Sequence, residues 1–219
     1  IYFKNDSGVV KGTQNALKDD SDVFGLNANY KLGDSLDTVV EGYGFARVTG
    51  DKNTTVNGAV SDKGDQLYVP GLRVSTNPVK GLNVQGELAW QLGRKGYVDS
   101  GAPAGGDNIR RSAMAYQLMS SYALPVLEQY KPSVNASYTH VSGDKNASVN
   151  RSAHAGPKSG ETYSAWDPFN EAQGSGTIYN SLFDLTNLNV FSVGGQVTPI
   201  QDVTAAFAWT GLWADRKIG

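Results

Sequence analysis

Apolar and polar residues alternate along most of this chain. The clearest run is Leu82–Leu92: Leu82, Val84, Gly86, Leu88, Trp90 and Leu92 take the even positions, and Asn83, Gln85, Glu87, Ala89 and Gln91 the odd ones. A period of two predicts a strand with one apolar and one polar face. The run has the length of about 9–11 residues that a tilted strand needs to cross a bilayer. Trp90 stands near one end of the apolar face, where interfacial aromatics gather. A strand of a soluble sandwich carries the same pattern, so the decision rests on whether the chain repeats it.

It repeats it seven more times. Ser21–Leu32 sets Phe24, Leu26, Ala28 and Tyr30 against Asn27, Asn29 and Lys31. Leu36–Val48 admits two phases. Turning its odd residues to lipid would leave Glu41 there near mid-membrane, an unfavourable site for a charge. The expected phase is therefore Val40, Gly42, Gly44, Ala46 and Val48 outward, with Glu41, Tyr43, Phe45 and Arg47 inward. Gln66–Thr76 turns Tyr68, Leu72 and Val74 out and Arg73 and Ser75 in, with a bulge expected at Pro70 because proline cannot donate to a ladder. Arg111–Ala123 turns Met114, Tyr116, Leu118 and Tyr122 out, and Arg111, Gln117 and Ser121 in. Lys131–Val141 has Val134, Ala136 and Tyr138 opposite Ser133, Asn135, Ser137 and Thr139. Asn187–Thr198 and Val203–Trp213 complete the set, with Phe191, Val193, Phe207, Trp209 and Trp213 outward.

Between these eight strands short turns alternate with long polar loops. Outer-membrane barrels have this arrangement, with short periplasmic turns and long extracellular loops. The outward aromatics gather towards the two ends, as a pair of girdles would. The fold class expected is all-β: a transmembrane antiparallel up-and-down β-barrel. The chain opens after the end of a strand at Ile1–Phe3 and stops after Trp213 on the long-loop side, whereas barrel termini lie on the short-turn side. Residues 1–219 are accordingly expected to be part of a single outer-membrane barrel domain, an interior fragment of about eight strands with others missing at both ends. The polar inward residues suit the aqueous channel of a larger barrel better than the packed interior of an eight-stranded one.

Composition narrows the classes. The formal net charge of −2 argues against a nucleic-acid partner. The absence of Cys excludes a disulfide scaffold and thiol catalysis. No apolar run reaches the about 20 residues of a transmembrane helix, and no signal peptide is visible. Two loop segments echo each other: Gly50-Asp51-Lys52-Asn53-Thr54-Thr55-Val56-Asn57 and Gly143-Asp144-Lys145-Asn146-Ala147-Ser148-Val149-Asn150. Oxygen-rich loops of this kind can hold calcium, but neither copy clusters carboxylates, and a Gly-Asp turn leaving a strand explains both. No metal or cofactor is expected.

One stretch carries a family resemblance. Ser142-Gly143-Asp144-Lys145-Asn146, then Trp166-Asp167-Pro168-Phe169, then Asn187-Leu188-Asn189 and Pro199 resemble the alginate-export family of outer-membrane barrels over Tyr138–Trp213. The resemblance implies a monomeric barrel with a basic lumen that passes an anionic polysaccharide. The inward positions here depart from that basic character, since Glu41 and Glu87 are among them.

The functional expectation is an outer-membrane channel of a Gram-negative, diderm bacterium, passing polar or anionic solutes, with polysaccharide export implied by the resemblance. Its partners are membrane lipid, lipopolysaccharide and the solute; a periplasmic partner is unknown. Candidate pore-lining residues are Asn27, Asn29, Glu41, Arg47, Arg73, Gln85, Glu87, Gln91, Arg111, Gln117 and Asn135. Arg94, Lys95 and Arg110 join Arg47 and Arg111 at the long-loop mouth by strand height, either as a ring attracting anions or as loop charge meeting lipopolysaccharide. Constant index sums between antiparallel partners place Arg73 opposite Glu41 and one diagonal step from Glu87. An enzyme is not expected: His140 falls on the outward parity, and neither it nor His154 forms a triad with Ser142 and Asp144. The alternatives are a structural or adhesive surface barrel without an open pore and, more remotely, a lipid-hydrolysing barrel.

Overall fold

The computed structural model describes residues 2–5, 21–50, 52–56, 59–62, 64–96, 109–145, 162–168 and 185–217. His154, Phe169, residues 6–20 and residues 146–150 of the second Gly-Asp echo lie outside them.

The described chain is all-β apart from one 3₁₀ turn at Glu128–Tyr130. Its strands are β1 (Tyr2–Asn5), β2 (Ser21–Lys31), β3 (Val39–Thr49), β4 (Lys52–Val56), β5 (Ala59–Asp62), β6 (Gln66–Val79), β7 (Leu82–Lys95), β8 (Ile109–Ala123), β9 (Ser133–Val141), β10 (Thr162–Tyr163), β11 (Leu188–Ile200) and β12 (Val203–Ala214). One antiparallel up-and-down sheet runs β1-β2-β3-β6-β7-β8-β9-β11-β12, and it does not close on itself. β4 and β5 form a separate hairpin within the first long loop, and β10 lies parallel to β8 at its long-loop end.

The eight expected strands coincide with β2, β3, β6, β7, β8, β9, β11 and β12. The expected phase of β3 holds: Val48 faces Gln66 and Glu41 faces Arg73. Two details differ. The register runs past Pro70 unshifted, since Tyr68 pairs Leu92 and Gly71 pairs Ala89 in the same phase. The irregularity falls instead between Thr76 and Val79, around Pro78, beside the turn at Lys80-Gly81. The tight turn, with Val79 opposite Leu82, and this irregularity together reset the hairpin: Gly71 faces Ala89 rather than Glu87, and Arg73 faces Glu87 directly. β3 also starts later than Leu36, because Gly33–Thr38 forms a closed turn. There the Asp34 carboxylate accepts from the Thr38 backbone N–H at 2.8 Å and from its hydroxyl at 2.6 Å.

Alternation gives the sheet two unlike faces. One, called outer here, exposes Phe24, Leu26, Tyr30, Tyr68, Leu72, Trp90, Leu118, Phe207, Trp209 and Trp213. The inner face is polar towards the short turns. Towards the long loops it carries the small core of Leu67, Val69, Ala89, Ala113 and Val141, which Trp166 covers.

Candidate functional site

Two zones make up the inner face. At the long-loop end, Thr162–Pro168 returns from the third long loop and lies against the sheet. Trp166 is buried among Leu67, Val69, Ala89, Ala113 and Val141. Burial of a Trp side chain there is the main apolar force holding the segment down. Directional bonds fix its register. The Gln91 amide pairs with the backbone of Asp167 in both directions, Nε2 donating to the carbonyl at 2.6 Å and Oε1 accepting from the N–H at 2.8 Å. A side chain thus stands in for a neighbouring strand. The Trp166 N–H donates to the Ser142 carbonyl at 2.9 Å. Ser142 Oγ donates to the Ser164 carbonyl at 2.8 Å, and Ser164 Oγ donates to the Gly143 carbonyl at 3.0 Å. The Ser-Gly-Asp and Trp-Asp-Pro motifs are therefore the two halves of one contact.

The charges of this zone form a chain. Arg111 is fully buried and bonds Asp65 through Nη2 at 2.9 and 3.0 Å and Asp167 through Nη1 at 3.0 Å. Arg47 Nη2 reaches the same Asp167 oxygen at 3.0 Å. Two guanidinium groups are thus matched by two carboxylates. A buried Arg demands such partners, because an unpaired charge out of water is strongly unfavourable. Lys95 sits with its Nζ 3.6 Å from the centre of the Tyr163 ring, a cation–π contact at the end of the same segment.

Nearer the short turns the inner face is a hydrogen-bonded polar wall. Asn27 donates to Glu41. Tyr43 donates to Glu87 at 2.5 Å, Arg73 to Gln85 at 2.5 Å, and Gln85 to Asn83 at 2.7 Å. Gln117 donates to Thr139 at 2.8 Å. Arg73 lies on one rung with both Glu41 and Glu87, though its hydrogen bond goes to Gln85. Asn29, facing Glu41, and Asn135, facing Ser121, share this face as exposed side chains.

The expected lining residues are thus brought onto one face, but they differ in access. Gln91 and Arg111 are covered by the returning segment, whereas Asn27, Asn29 and Asn135 are open. The five basic residues assigned to the mouth do not form one cluster. Arg47, Lys95 and Arg111 are on the inner face, while Arg94 and Arg110 take the outward parity of β7 and β8, where they face each other. Ser142, Ser164 and the two acidic partners, Asp65 and Asp167, were not singled out as site residues from the sequence. The signal for Asp167 lay in the Trp-Asp-Pro-Phe run, and Asp65 had none beyond its place beside β6. Among the described residues no group of three or more His, Cys, Asp or Glu side chains is placed to hold a metal ion.

Compared with known proteins, the chain matches no protein-family model, no curated protein and no solved structure.

Proposed function

We propose that this sheet is part of the wall of an outer-membrane β-barrel channel for polar solutes, narrowed at its long-loop end by Thr162–Pro168. One observation carries the reading. The same strands put a broad exposed sheet of Leu, Phe, Tyr and Trp on one side and a hydrogen-bonded polar wall on the other. Proteins surrounded by water rarely expose a contiguous apolar patch beyond a few hundred Å². A face of this kind is at home in hydrocarbon, and the polar face then borders water.

The wall favours small polar solutes over a polyanion. Arg47 and Arg111, which would draw an anion in, already hold Asp65 and Asp167. Further along, two carboxylates, Glu41 and Glu87, flank Arg73. The polysaccharide-export function implied by the family resemblance would need those Arg residues released. The second reading, a surface barrel with no open pore, is favoured by the docked segment itself.

Reconstitution of the full-length protein in planar bilayers separates the two. The channel reading expects single-channel steps, with larger conductance in Asp167→Ala, which loses the Arg47 and Arg111 contacts. Spin labels at Leu118 and Phe207 should be reached by lipid-dissolved oxygen and those at Glu87 and Gln117 by aqueous nickel reagents. A lipid-protected outer face without conductance in either form would favour the closed structural barrel. Labels that behave alike on both faces would remove the membrane reading altogether.

A further inference from the structure

Arg94 in β7 and Arg110 in β8 are direct cross-strand partners with exposed side chains. Like charges set opposite each other in a ladder repel, and such pairs are destabilising without a counter-ion. The two Arg residues of the inner long-loop zone each have one: Arg47 holds Asp167, and Arg111 holds Asp65 and Asp167. Arg94 and Arg110 have no side-chain partner among the described residues.

Their place along the strands is equally informative. The next rung on the same face is Tyr68–Leu92–Ser112, and the one after it contains Trp90 and Met114. All of these but Ser112 are exposed aromatic or apolar side chains. The two guanidinium groups therefore start about 7 Å along the strand beyond the apolar belt. At that height hydrocarbon gives way to headgroups in a spanning strand. Two forks of N–H donors side by side match the oxygens of a phosphate, which each can bind bidentately.

We infer that Arg94 and Arg110 form a binding site for the phosphate of a lipid headgroup in the leaflet on the long-loop side, a phosphorylated glycolipid being the chemistry that fits. The acyl chains of that lipid lie along Tyr68, Trp90 and Leu92, so the site reads charge and an apolar tail together. This inference rests on the membrane reading proposed above.

The test is lipid retention by the full-length protein, read by native mass spectrometry after detergent exchange with a bisphosphorylated lipid A as probe. The wild type should retain it, and its dephosphorylated counterpart should be retained poorly. Arg94→Gln with Arg110→Gln should lower retention about tenfold or more, the scale of one lost charge-assisted hydrogen bond. Lys131→Gln removes an exposed basic charge at the short-turn end, away from the site, and should leave retention unchanged. Inorganic phosphate in excess should not displace the lipid; displacement would mean a simple anion site and overturn the lipid assignment. Equal retention by wild type and double variant, or equal loss in Lys131→Gln, would overturn the site. Quenching of tryptophan emission by brominated acyl chains, measured in parallel, separates the two levels. Quenching without an arginine effect overturns this inference alone, and absence of quenching overturns it together with the membrane reading.

Discussion

Tyr43 and Gly71 shape the middle of the polar wall. They are direct partners across β3 and β6, and the Tyr43 ring lies flat over the glycine to deliver its hydroxyl to Glu87 on β7. A Cβ at position 71 would stand 2.1 Å from that ring. A glycine inside a strand weakens it unless something needs the space, and here the ring needs it. Gly71→Ala should therefore push Tyr43 off Glu87 and cost about 0.5–1.5 kcal/mol, the net worth of a hydrogen bond. Tyr43→Phe should cost a similar amount. Because both remove one interaction, the double variant should fall well short of the sum in a denaturant-unfolding cycle. Additive losses would show that the contact is not what the glycine serves. At this scale the sequence was informative wherever partners follow from strand arithmetic. Glu41 and Arg73 could be paired from index sums alone. Arg94 and Arg110 share the strand height of Arg47 and Arg111, and the parity of Trp90 and Leu92, carried two residues further, sets them on the opposite face. Asp65 and Asp167 were out of reach for a different reason. Their partner Arg111 is 46 and 56 residues away; Asp65 reaches it across the width of β6, β7 and β8, and Asp167 only by the return of a loop onto the sheet.

Among the elements, the turns explain most of the differences in boundary and register. Propensity placed the start of β3 at Leu36, but Asp34 closes the Gly33–Thr38 turn and delays the strand to Val39. The Thr38 hydroxyl and N–H, which bond the charged form, hold the Asp34 carboxyl below its ordinary value of 3.8. A carboxyl depressed on folding stabilises the native state above its unfolded value, and that stabilisation fades as pH falls through the lower folded value. The melting-temperature gap between the wild type and Asp34→Ala should hence be constant at neutral pH and close in strong acid. A gap that widens in acid would reverse the assignment. The irregularity at Thr76–Val79 was expected at Pro70 instead, since both prolines break the ladder rule. Pro78 is the one beside a turn, where an extra residue is easily accommodated without disturbing the strands beyond.

For the molecule as a whole, the eight long strands, their order and their facing were legible because each depends on local alternation and loop length; β4, β5 and β10, within stretches that read as polar loops, were not. What occupies the inner face was not, since it depends on a segment arriving from the third long loop. That segment and the first long loop meet at one side chain. Asp65, which closes the first, and Asp167, which belongs to the returning piece, both bind the fully buried Arg111. Two segments sharing a single counter-ion do not move independently. When Thr162–Pro168 lifts, Arg111 loses its cover, and water weakens its remaining bond to Asp65 several-fold relative to the buried state. Departures of Asp65 and of Thr162–Pro168 from Arg111 should therefore be concerted. Single-molecule fluorescence from dyes on both loops should show their excursions coincide, and Arg111→Met should uncouple them. Uncorrelated excursions in the wild type would mean that each loop keeps its own latch. In the proposed channel, a common latch would give conductance noise with one open level where two independent loops would produce several.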